Sequence, residues 1–161
     1  MAPVGTALPT DATTALNSAF VELGYVSEDG ITNSNSMTTE DIKAWGGDIV
    51  YSAETEKTDT FQFTLIEATN INVLKHVYGD DNVTQANGSI TIRANSTPTA
   101  YRSYVIESVL RDKAKRTVIP SAKVTTVGDI VYKDDTLHGY DTTITAVADT
   151  AGNTHYEYIG G

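Results

Sequence analysis

Between residues 49 and 65 apolar and polar positions alternate. Ile49, Tyr51 and Ala53 interleave with Val50, Ser52 and Glu54, and Phe61, Phe63 and Leu65 interleave with Gln62 and Thr64. Period two marks a strand with one face buried. The polar stretch Glu54–Asp59 between the two runs predicts a long antiparallel hairpin with one apolar face. A second segment changes period: Asn70 is an N-cap candidate, Ile71, Leu74 and Tyr78 are the apolar positions, and Gly79 is a stop. This predicts one short helix.

Further strands are expected at Ser89–Ala94, Tyr101–Leu110, Lys115–Ile119, Ala122–Thr126, Tyr140–Ala148 and His155–Ile159. Turn chemistry separates them at Asn87-Gly88, Thr97-Pro98, Gly128-Asp129, Asp134-Asp135 and Gly152-Asn153. Residues 1–13 hold two prolines and no periodicity, and read as an extended N-terminal arm, with one or two helical turns possible over Ala15–Leu23. Residues 25–47 read as a long polar region, either a loop or a loosely paired hairpin. Within it Thr38 and Asp41 match a capping box that Gly46-Gly47 would end, while Asp41–Trp45 fits a strand equally well. The expected fold is mostly β, a sandwich or barrel with one flanking short α-helix, in a single domain over 1–161 without internal repeats.

Composition supports that pattern. The chain has 14 Val, 12 Ile and 25 Thr against 7 Leu, and residues branched at Cβ pack well on pleated surfaces. No cysteine is present, so neither a disulfide nor a thiolate metal site is available. The first residues lack a basic segment followed by an apolar run, so no secretory leader is expected. No apolar run is long enough for a membrane helix. Net charge is −10, with 12 acids and 3 bases in residues 1–80 against 9 and 8 in 81–161. That balance argues against tight binding to phosphates.

Catalytic patterns are missing. His76, His138 and His155 are far apart in sequence and fit no metal-ligand spacing. G-x-S-x-G, GxxxxGK[ST] and GxGxxG are all absent. Asp80-Asp81-Asn82 followed by Gly88 does not fit a calcium loop, because the frame that puts glycine sixth starts on Val83. Glu54 and Glu56 could form a carboxylate couple, but a hairpin tip normally presents such charges to solvent. No catalytic, cofactor-binding or metal-binding residue is nominated.

One basic cluster remains: Arg111, Lys113, Lys115 and Arg116, with three of the four on one face of a strand. It is either a solvated edge that resists unwanted pairing or a docking patch for acidic surface on another copy. The acidic N-terminal half, with Glu56 and Asp59 in the hairpin, would supply the complementary contacts.

Several stretches together carry a resemblance: residues 8–30 (LPTDATTALNSAFVELGYVSEDG), 42–48 (IKAWGGD), 63–84 (FTLIEATNINVLKHVYGDDNVT), 127–146 (VGDIVYKDDTLHGYDTTITA) and 155–160 (HYEYIG). In this order they resemble the major tail proteins, or tail tube proteins, of long non-contractile-tailed bacteriophages, especially those of actinobacteria. The resemblance implies a β-sandwich subunit without cofactor or catalytic residues, forming hexameric rings that stack into a tube through which DNA leaves the capsid. Its implied partners are further copies of itself, a tape-measure protein, a tail terminator and tail-tip proteins. It would be assembled in the host cytoplasm and carried in the virion, without membrane insertion. On the pattern of residues 49–66, Ser52, Glu54, Thr60, Gln62 and Thr64 are expected to face the lumen. The alternative is a carbohydrate-binding or adhesin-like β-sandwich module, which should cluster exposed aromatic residues.

Overall fold

The computed structural model describes residues 1–132 and 139–160. Its elements are β1 (Ala2–Pro3), β2 (Val26–Lys43), β3 (Ile49–Leu65), α1 (Ile71–Tyr78), a 3-10 turn (Asp80–Asn82), β4 (Val83–Ala86), β5 (Ser89–Ile92), β6 (Arg102–Leu110), β7 (Lys113–Val127), β8 (Tyr140–Ala146) and β9 (Tyr156–Gly160). The expected turn at Asp134-Asp135 and His138 lie outside the described residues. All pairings are antiparallel. The main sheet runs β1-β6-β7-β8-β3-β2, with β9 also on β7, and β4-β5 form a separate hairpin.

The long β7 organises the fold. Sequence reading divides it into two strands, but the chain passes through Pro120 and Ser121 without leaving the sheet. Arg102 pairs with Ala122 and Tyr104 with Ile119, so the register slips at the proline. A bulge is where a residue without an N–H fits a sheet. Ser103 Oγ donates to Pro120 O at 2.7 Å and holds the irregular segment. Before the bulge β7 pairs with β6 and β9, and beyond it with β8. One strand thus serves both halves of a sandwich-like sheet.

Between these halves lie Phe61, Phe63 and Leu65 of β3, Ile144 of β8, Tyr104 of β6 and Ile119 of β7. Val73, Leu74 and Val77 of α1 complete the core. The helix forms where the sequence predicts it. The Asn70 side chain accepts from Asn72 N at 2.9 Å, and Gly79, at φ 91°, ends the helix in a conformation that a Cβ would strain.

Four expectations are corrected. The extended N-terminal arm is not free: Met1 and Ala2 are buried, β1 pairs with β6, and Met1 N donates to Val21 O at 2.7 Å. No helical turn forms over residues 15–23. Of the two readings of residues 25–47 the loop fails over most of the region and the paired one holds with another partner, because β2 pairs with β3 along nearly its whole length. The predicted hairpin within residues 49–65 does not exist either. Those residues form one strand, the stretch Glu54–Asp59 lies inside it, and the chain reverses instead at residues 44–48. Polar side chains exposed on both faces let β2 read as a loop, yet the backbone ladder is indifferent to them.

Candidate assembly surfaces

On the side of β3 opposite Phe61, Phe63 and Leu65 lie Thr60, Gln62 and Thr64. In the register they face Thr145, Thr143 and Asp141 of β8, and Lys123 of β7 lies beyond Thr145. Gln62 Nε2 donates to Asp141 Oδ2 at 3.0 Å, and the Thr125 and Thr145 hydroxyls lie 2.9 Å apart. The ammonium of Lys123 sits over the Tyr101 ring, 5.3 Å from its centroid. The result is a hydroxyl-rich face on which one acid and one lysine balance. The period-two alternation of residues 140–146 contained Thr143 and Thr145 as candidates that the sequence reading did not name.

Ser52 and Glu54 do not share this face. Thr38 pairs with Glu56 but Thr39 pairs with Glu54, so Thr55 is an extra residue in β3. One inserted residue transfers every later side chain to the opposite face. Beyond the bulge it is Ala53 and Tyr51 that continue the side of Thr60, Gln62 and Thr64. Ser52 instead donates to Asp41 Oδ1 at 2.7 Å on the reverse side. The expectation that Ile49 and Tyr51 pack with Phe61 on the core also fails, since both are exposed.

Past Thr58 the β2–β3 ribbon leaves the core, and nearly every residue in it is exposed. Its end carries Ile42, Trp45, Ile49, Val50 and Tyr51, with Trp45 fully exposed. At its root the position is reversed: Asp59 is buried on the core side. Its carboxylate accepts from Asn33 Nδ2 and Thr154 Oγ1, each at 2.6 Å, and pairs with His155 Nδ1 at 2.6 Å. Burial pushes its pKa up, but these donors outweigh burial and hold it below the ordinary value. Asp59 therefore fastens the ribbon to the segment entering β9.

The basic cluster divides. Arg116 is buried: Nε donates to Glu107 Oε1 at 3.0 Å, and Nη1 donates to Asp11 O at 3.0 Å and Thr14 O at 2.8 Å. It does dock on the N-terminal half, but on that of its own chain. Arg116 and Asp59 are thus committed inside the subunit. Arg111, Lys113 and Glu56 are exposed, and Lys115 pairs with Glu157 at 2.7 Å.

Within the core, His76 stands between Tyr104 and Thr142, with ring–hydroxyl distances of 3.2 and 3.4 Å. Burial depresses its pKa to about 4. Its helical position on an otherwise apolar face is the only sequence signal of this role. An open groove of about 630 Å³ lies between residues 16–26 and the sheet, lined by Phe63, Leu65, Tyr104 and Ile106 with Glu22, Glu67 and Glu107 at its polar positions. Among the described residues no group of three or more His, Asp or Glu is placed to hold a metal.

These surfaces define a β-sheet protein with an unusually long exposed strand edge and a projecting hairpin, features of chains that meet other chains. A family described as phage tail tube protein matches residues 1–160, and the chain belongs to that family. It is accordingly a structural protein of the phage tail that self-assembles into a tube with other tail proteins. A comparison with curated proteins returned no match. No helix among the described residues is long and apolar enough to cross a membrane.

Proposed function

We propose that the chain forms closed rings, six copies in each, that stack into the conduit for DNA, and that the hydroxyl-rich face of β3, β8 and the second half of β7 lines its lumen. The observation that carries this reading is the balance of that face: Thr60, Gln62, Thr64, Thr143, Thr145 and Thr125 surround one acid, Asp141, and one lysine, Lys123. A wall that attracted phosphates would hold the genome, because each cation displacing counterions adds an attraction that sums along the tail. At −10 per chain, a six-membered ring carries about −60 before screening, which repels DNA from the wall generally.

The unfinished sheet supports assembly. Among the described residues β2 hydrogen-bonds to β3 alone, so eighteen residues present an open edge. Joining edges head to tail around a ring removes them, and the closed ring then stacks through a second, open-ended contact. The tape-measure, terminator and tail-tip proteins are the partners of this assembly, which takes place in the host cytoplasm before the tail joins the virion.

The test is the triple variant Thr60→Lys, Gln62→Lys, Thr64→Lys. Tubes should still form, seen by electron microscopy, while DNA ejection slows or stalls. Normal ejection through tubes built of this variant would reject the lumen assignment.

A further inference from the structure

We infer that the apolar tip of the β2–β3 hairpin docks on a second copy of the chain, at the end of the sheet around Ile159 in β9. The inference rests on the proposed tube and identifies which two surfaces of that assembly meet. The register places Ile42 opposite Tyr51, Glu40 opposite Ala53 and Thr38 opposite Glu56. By alternation one face of the ribbon therefore carries Ile42 and Tyr51 at its tip and Glu40 and Glu56 along its stem. Ile42 and Tyr51 are 54% and 61% exposed, and Trp45 stands fully in solvent at the turn. Single exposed apolar residues need no explanation, but a cluster at the end of a two-stranded ribbon does. Such a ribbon has no second layer of its own to cover it.

The acceptor is net positive, with Arg111, Lys113 and Lys115 against Asp112 and Glu157. Lys115 pairs with Ile159 across β7 and β9, and Lys113 precedes it by two residues, so all three side chains lie on one face. Ile159 is 60% exposed, and Arg111 lies in the adjoining turn at φ 59°. Lys115 is already paired with Glu157, whereas Arg111 and Lys113 have no ion-pair partner among the described residues. An apolar side chain flanked by cations matches an apolar tip flanked by carboxylates. Arg116, on the reverse face, takes no part because its charge is consumed by Glu107 and the segment 11–14. The stem of the hairpin between Ser34 and Thr58 holds five acids and two lysines, so the complementarity extends beyond Glu40 and Glu56.

Cross-linking and charge exchange test the contact together. The chain has no cysteine, so a Trp45→Cys protein mixed with an Ile159→Cys protein carries one thiol on each partner. A short bismaleimide should give a covalent dimer when the mixture is assembled, and only between copies. Separately, Arg111→Glu with Lys113→Glu should slow assembly about tenfold at low salt, as loss of electrostatic steering does. Glu40→Lys with Glu56→Lys should do the same, and a chain carrying all four changes should recover the wild-type rate. Circular dichroism of each variant should stay that of the wild type, since all four positions are exposed. Unchanged rates in both charge-reversed pairs, no recovery in the fourfold variant, or no cross-link in assembled protein overturns the contact, while wild-type tubes still uphold the proposed function. If the wild type forms neither rings nor tubes, the function and the contact fall together.

Discussion

The Tyr104 hydroxyl lies 3.2 Å from His76 Nδ1 in the core, and the contacts on the other side of the ring decide which of the two donates. The Thr142 hydroxyl donates to Phe63 O at 3.3 Å, so its oxygen accepts from Nε2–H of the ring at 3.4 Å. One chain of donors thus crosses from β6 through α1 to β8 and β3. Burial keeps the imidazole neutral, and in that form Nδ1 is free to accept from Tyr104. The ring is also stacked near Phe63, with centroids 5.9 Å apart, which keeps water away from it.

Stability should therefore fall as the medium is acidified. The unfolded chain takes up a proton on His76 near pH 6.5, whereas the folded chain resists until about pH 4. Between these values the unfolded state binds more protons, so stability decreases as pH drops, by roughly 3 kcal/mol at the lower end of the window. His76→Gln removes the titration. Its stability deficit relative to wild type, from urea unfolding, should be smaller at pH 4.5 than at pH 7.5. A deficit that is constant across the window would show that His76 does not titrate with unfolding.

At the root of the hairpin, Asp59→Asn should cost about 2–4 kcal/mol, because it turns an amide donor toward the Asn33, Thr154 and His155 donors and removes a buried charge partner. The carboxylate's contribution is present above the ordinary Asp value near pH 4 and is lost as pH falls through its depressed folded value. The difference between wild type and variant should thus be largest at neutral pH and shrink in acid. Hydrogen exchange should show the loss concentrated in the base of β2–β3 and the start of β9.

Removal of residues 1–11 should destabilise the subunit itself and not only its assembly. The deletion takes away Met1 and Ala2 from the core, the β1–β6 pairing, and one of the carbonyls held by Arg116. A lowered melting temperature and weakened near-ultraviolet dichroism are expected. A truncated protein that melts like the full chain would mean that the N-terminal packing contributes nothing.

Arg116→Ala probes the same docking more gently. It leaves Glu107 without its partner and frees the carbonyls of Asp11 and Thr14, a loss of about 1–3 kcal/mol for a hydrogen-bonded, mostly buried charge. Lys113→Ala, at the exposed start of the same strand, should change monomer stability by less than about 0.5 kcal/mol. Equal effects of the two would contradict the division of the basic cluster into an internal clamp and a surface patch.

The local pattern determined what local physics controls. The run from Asn70 to Gly79 encoded both caps of its helix, because capping is settled by neighbours in sequence. Phe61, Phe63 and Leu65 announced a buried strand face, and the Thr-rich composition announced a β protein. The family resemblance lay in ordered segments along nearly the whole chain, and residues 1–160 carry the match. Facing and partnership were decided only in three dimensions. A single inserted residue, Thr55, moved Ser52 and Glu54 off the side of Thr60, and no periodicity count reveals a bulge whose register depends on the partner strand. Arg116 looked like its neighbours in sequence, yet burial by residues 11–14, about a hundred positions away, turned it into an internal clamp. Strand β2 has polar residues on both faces, and its sequence fitted a loop as well as a paired strand. It is a strand because β3 offers it a complete ladder of backbone partners, and that ladder forms whatever the side chains are.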